Sequence, residues 1–176
     1  MRLALAALGV LVLAGCYRLS TPPAVAEGVA VRIISNQGRL PRAQADLQAE
    51  VPRALARNLG WHINPASATA HLDLTIEEDI IDVTARDSRG VPVQWQVRLR
   101  GTCLFASRQA TLVGRFTGAG YYTSQLDEPE GVRTAAQEAA KDIVAWIEAN
   151  EARFSPAPPA LVAPAEPAAP EATPTL

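Results

Sequence analysis

Hydrophobic positions recur along this chain in two rhythms, and the change from one to the other divides its middle into strands and helices. Val29, Val31 and Ile33 alternate with smaller or polar residues and end at Asn36-Gln37-Gly38, which predicts a strand closed by a turn. Leu47, Val51, Leu55 and Leu59 then recur every four residues, the spacing of one helical face, so a helix follows over Leu40 to Leu59 with Gly60 as its stop. Pro52 falls inside it. An interior proline removes a backbone hydrogen bond and clashes one turn back, so a kink or a two-piece helix is expected.

Leu72, Leu74 and Ile76 alternate with His71, Asp73 and Thr75 as in a half-buried strand. The phase slips by one residue near Glu77-Glu78 before Ile81 and Val83 resume it, which predicts a bulge. After a polar turn over Arg86 to Gly90, Val91, Val93, Trp95, Val97, Leu99, Gly101, Cys103 and Phe105 make the cleanest alternation in the chain. Ser107-Arg108-Gln109 turns that strand into a fourth at Leu112, Gly114 and Phe116, so strands two to four form a meander. Gly118-Ala119-Gly120 lacks both the strand-to-helix setting and the lysine of a phosphate loop and reads as a flexible connection. Asp127, with Pro129 and Glu130 behind it, reads as the cap of a second helix whose apolar stripe is Val132, Ala136, Ala139, Ile143, Ile147 and Phe154.

The predicted order is β-α-β-β-β-α. Both helix stripes can cover one face of a four-stranded, mainly antiparallel sheet, leaving the other polar and exposed: an α+β fold of the two-layer sandwich type.

The ends of the chain read differently. Arg2 precedes an apolar run from Leu3 to Ala14, too short to cross a bilayer as a helix, and small residues lead into Gly15-Cys16, the layout of an export signal. Leu13-Ala14-Gly15-Cys16 resembles the bacterial lipobox, which implies removal of 1–15 and acylation of Cys16. Several acyl chains hold a protein stably where one is marginal. In lipoproteins generally an aspartate just after the cysteine favours the inner membrane; Tyr17 stands there, so the resemblance implies lipid anchoring at the periplasmic face of the outer membrane. The division expected is signal peptide 1–15, lipidated linker 16–27, folded domain 28–154, and a tail at 155–176 whose proline and alanine offer too few large apolar groups to repay ordering.

Composition narrows the function. A formal net charge of −2 among 176 residues lacks the basic excess of a nucleic-acid binder, so no nucleic acid is expected as a partner. Two histidines, His62 and His71, without ligands at metal spacing predict no metal and no cofactor beyond the lipid on Cys16. Cys103 lies in the buried phase of its strand and reads as a core residue. Glu77, Glu78 and Asp79 point to alternating sides and read as a bulge or solvated edge, while Trp61, Trp95 and Trp146 read as core anchors. No nucleophile–base–orienter grouping is visible, which predicts a protein that is not an enzyme.

The element order, the lipobox and Tyr17-Arg18-Leu19 after it resemble the lipopolysaccharide-assembly lipoprotein family, LptE. The matching pieces are Val31 to Asn36, Leu40 to Leu59, Ala70-His71-Leu72-Asp73-Leu74 and Asp87-Ser88-Arg89-Gly90; Pro52 and the tail depart from the pattern. The resemblance implies a plug in an outer-membrane β-barrel partner (LptD-like) that assists barrel assembly and passes lipopolysaccharide to the surface. Residues opposite in phase to Trp95, Val97 and Leu99 include Arg98 and Arg100, about 7 Å apart along the strand. With Arg108 at the hairpin turn they are candidate contacts to lipopolysaccharide phosphates; a solvated charged face is the alternative. Other lipoprotein functions compatible with this reading are activation of peptidoglycan synthesis and an auxiliary part in a lipid-trafficking transporter, and a periplasmic hydrolase is the competing class.

Overall fold

The structure, a computed structural model, describes residues 28–108, 110–150 and 153. The expected signal peptide, linker and tail, with Cys16, Gln109 and Phe154, lie outside the described residues. The elements run β1 (Val29–Asn36), α1 (Pro41–Leu59), β2 (Ala70–Arg86), β3 (Pro92–Ala106), β4 (Thr111–Tyr122), a 3-10 turn (Gln125–Asp127) and α2 (Glu128–Ala149). The four strands form one sheet in sequence order, with β1 parallel to β2 and the rest antiparallel. This is the predicted α+β fold in the predicted order.

The alternation written in the sequence decides which side is buried. Leu72, Leu74, Ile76, Val97, Leu99, Cys103, Phe105 and Phe116 share one side of the sheet and are at most 1% exposed, packed with Leu47, Val51 and Leu55 of α1 and Val132, Ala136, Ala139 and Ile143 of α2. Each large apolar side chain so enclosed contributes about 1.5–3 kcal/mol relative to exposure. Trp61 lies in this core against Phe105, with ring centroids 5.5 Å apart, and Trp95 stacks on Tyr122 at the same separation. Burial pushes the Cys103 thiol up to about 11, as befits a cysteine used for packing.

Four local readings need correction or completion. α1 is one continuous helix through Pro52, because Pro52 lies off the buried stripe of Ala43, Leu47, Val51 and Leu55, where a carbonyl left without its partner can turn to water. Asp127 precedes α2 but makes no capping bond; the Ser124 hydroxyl instead accepts the Leu126 N–H at 3.2 Å. Gly118-Ala119-Gly120 is not a connection but the second half of β4, in register with Leu99, Arg98 and Val97. Its glycines, with Gly114, stand where α2 comes too close for a side chain: a Cβ on Gly120 would lie 1.9 Å from the Gly131 carbonyl oxygen. The helix answers with Gly131, Ala135 and Ala139, small residues four apart.

The fourth concerns the acidic run. The bulge falls between Ile76 and Glu78 as predicted, and it turns Asp79 inward, only 7% exposed, instead of onto a solvated edge. Its carboxylate accepts the backbone N–H of Arg39 and, at 2.8 Å, that of Leu40. Helix α1 has no acidic residue in its first turn, so β2 lends it the negative charge that helix N-termini favour. Gly38 makes room, since a Cβ there would lie 2.1 Å from Asp79 Oδ2.

Candidate functional site

With both helices on one side, the other side of the sheet carries no helix among the described residues. Its residues are the opposite phase of each strand, and the polar ones are paired across the strands. β2 forms an acidic spine with arginines on both neighbours. Asp73 takes a two-pronged contact from Arg32 of β1, with Nε to Oδ1 at 2.7 Å and Nη2 to Oδ2 at 2.9 Å. That hydrogen bond and the carboxylate charge raise the Arg32 pKa further above its ordinary value. Glu78 meets Arg100 at 3.3 Å and Asp82 meets Arg98, both from β3. Farther along, the Gln96 side-chain amide donates to the Tyr121 hydroxyl at 2.7 Å.

Arg98 and Arg100 therefore stand on the open face, as the strand phase predicted, but neither is free. Arg108 is exposed in the β3–β4 turn and does not join them: it lies beyond Ala106, the end of β3, so roughly 20 Å of strand separates it from Arg100. The three candidate contacts thus fall as two on the sheet and one at its end.

The pair on the sheet borders a groove of about 730 Å³ between the open face and the flank of α2. Arg98, Arg100, Thr117 and Ala119 supply one wall, and Glu138 and Lys141 the other. Lys141 is held by Glu138 at 2.7 Å, so every cation of the groove already faces a carboxylate. Asp142 closes its edge by accepting the Thr117 backbone N–H at 2.8 Å, which removes a free donor from edge strand β4. One donor stays unmet: Arg98 Nε is buried without an acceptor among the described residues.

These pairs are half exposed, with Arg100 and Glu78 at 53% and 40%, and such pairs contribute only about 0–1 kcal/mol. An incoming phosphate, able to take two N–H bonds from one guanidinium, can replace a carboxylate at little cost. The side these carboxylates face was legible from the phase slip, though not which arginine each meets. If Ile81 and Val83 point inward, so does Asp79, and Glu78 and Asp82 must face out beside the arginines.

Among the described residues no group of histidine, cysteine and carboxylate side chains could hold a metal, and no helix is long and apolar enough to cross a membrane. His62 is exposed and His71 partly buried, and they stand apart on the loop before β2 and on β2 itself.

The architecture is one that bacterial lipoproteins use. Rare lipoprotein B from Shewanella oneidensis superposes with a TM-score of 0.50 at 13% identity, over 71% of this chain and 97% of that one. A proposed lipoprotein from Caulobacter crescentus (TM-score 0.46, 21% identity, 66% and 90% covered) and a minor lipoprotein from Acinetobacter baumannii (0.45, 19%, 74% and 96%) are also similar. No family model and no curated protein matches the sequence.

Proposed function

We propose that this chain is a lipid-anchored, non-catalytic lipoprotein of the outer membrane that plugs a β-barrel partner, helps it assemble and assists lipopolysaccharide to the surface. The observation that carries the reading is the one-sided sandwich: among the described residues helices cover a single side of the sheet, and the other presents cross-strand ion pairs. Such a face suits polar docking inside a barrel lumen, whose lining is itself polar. The lipobox resemblance at Leu13 to Cys16, the family resemblance and the fold shared with rare lipoprotein B support it.

In this reading Arg98 and Arg100 exchange Asp82 and Glu78 for lipid phosphates, the unmet Nε–H of Arg98 gaining an acceptor in the process. Recovery of a large β-barrel protein with the tagged chain from detergent-solubilised outer membranes is the expected result. Recovery of a peptidoglycan synthase or an inner-membrane transporter instead overturns it. Changing Arg98 and Arg100 together to Ala is expected to weaken lipopolysaccharide binding in a titration while leaving the unfolding midpoint in place; unchanged binding removes the two arginines from the site. Cys16→Ala is expected to leave an unprocessed precursor, and a variant still acylated refutes the anchor.

A further inference from the structure

The open face is not uniform along its length. At the end where β1 begins, the register sets Arg32, Asp73, Leu104 and Val113 in one row, with Arg115 two residues beyond Val113 on the same side. Val113 is 68% exposed, and Ile34, at the bulge of β1 beside this row, is 59% exposed. Arg115 is exposed as well, and Arg108 stands exposed in the adjoining turn. Among the described residues no carboxylate pairs with Arg108 or Arg115, whereas Arg32, Arg98 and Arg100 are all compensated. On the open face, exposed aliphatic side chains and arginines without a carboxylate thus come together at this end, whereas at the far end the exposed Tyr121 is bonded to Gln96 and Val83 and Val93 belong to the opposite strand phase.

The same end holds the start of the folded chain. Gly28 leads directly into β1, and α2 finishes there, with Trp146 over Gly114. From Gly28 back to Cys16 the chain spans at most roughly 40 Å. A lipid on Cys16 would tether the domain to the bilayer through this end, within that reach.

From this we infer that the β1-start end of the open sheet face lies against the membrane that holds Cys16, with Arg108 and Arg115 on headgroup phosphates and Val113 and Ile34 in the apolar boundary. Charge complementarity selects the occupant, since uncompensated guanidiniums flanked by exposed aliphatics match an anionic lipid surface. The inference rests on the acylated Cys16 and goes beyond the barrel-plug reading, to which it leaves the part of the face around Arg98 and Arg100.

The test uses the acylated mature chain in vesicles of phosphatidylcholine alone or with added phosphatidylglycerol. An environment-sensitive fluorophore is placed on Val113→Cys or, at the hairpin end, on Val83→Cys; native Cys103 is buried and escapes labelling. A blue shift at position 113, stronger with phosphatidylglycerol, reduced by salt and absent at position 83, is expected. Arg115→Ala is expected to lower the docked-to-free ratio about fivefold, the weight of one cation at an anionic surface. Equal emission at position 113 with and without vesicles, or an equal shift at both positions, overturns the inference. Flotation reads the tether separately. If the chain fails to float, the Cys16 reading falls, and the chain labelled at position 113 with Cys16→Ser, mixed with excess phosphatidylglycerol vesicles, decides the docking by the same shift.

Discussion

Replacing Gly118 by alanine tests how the sandwich holds its second layer. The added Cβ would stand 2.0 Å from the Ala135 carbonyl oxygen, 2.6 Å from the Ala139 nitrogen and 2.9 Å from the Ala139 Cβ. Two of those three are backbone atoms of α2, so no rotamer change relieves the clash. The helix must back away by more than an ångström to restore ordinary contact. A gap of about 0.5–1 Å already forfeits a quarter to a half of a dispersion contact, and α2 meets β4 through Ala135 and Ala139 beside a buried stripe that includes Ala136 and Ile143. The loss should therefore reach the upper end of the overpacking range, about 3 kcal/mol. In a domain stabilised by roughly 5–15 kcal/mol that is a large share, equivalent to a fall in Tm of about 10 °C. Urea unfolding followed by circular dichroism measures it, with exposed Thr117→Ala as a neighbouring control expected within about 0.5 kcal/mol of the parent. Were Gly118→Ala as stable as that control, the close strand–helix contact would be wrong and the glycines would be ordinary connection residues after all.

Asp79→Ala removes the acceptor for the Arg39 and Leu40 amides and is expected to cost about 1–3 kcal/mol in chemical denaturation; a neutral effect refutes the cross-element cap. Cys103 should resist alkylating reagents at neutral pH until the domain unfolds, and because its pKa is raised from near 9 to about 11, stability should fall as pH climbs through that interval. Modification at the rate of a free thiol in the folded state contradicts both. The Asp87 carboxylate accepts the backbone N–H groups of Val91 and Arg89, which lowers its pKa, so its contribution is present above the ordinary aspartate range and is lost as pH falls through the depressed value. Protection of the Arg89 and Val91 amides, taken relative to the intrinsic exchange rate at each pH, should then be higher at about pH 5 than in stronger acid; protection unchanged across that range counts against it.

The elements were legible because burial writes a period into the chain. Leu72, Leu74 and Ile76 cannot all face a core unless the backbone is extended, and Leu47, Val51 and Leu55 cannot unless it is helical. The phase slip at Glu77-Glu78 even marked the bulge. The glycines of β4 were harder. They continue the strand's period of two on the buried side, but a glycine in a pattern has no side chain to announce its face, and a strand seated on a helix looks the same in sequence as a loop. Arg98 and Arg100 were placed on the correct side, while their pairing with Asp82 and Glu78 depends on the register of β2 against β3.

Side-chain periodicity alone thus determined the order of the elements, the side of each strand that is buried and the residues available on the open face, since these are local properties of one strand or helix. What lies beside what was decided only by the folded chain: the carboxylate opposite each arginine, the Asp79 cap on a helix from another part of the sequence, and the seat of α2 on three glycines. Those contacts join segments up to 41 residues apart, and no local period carries the register between them.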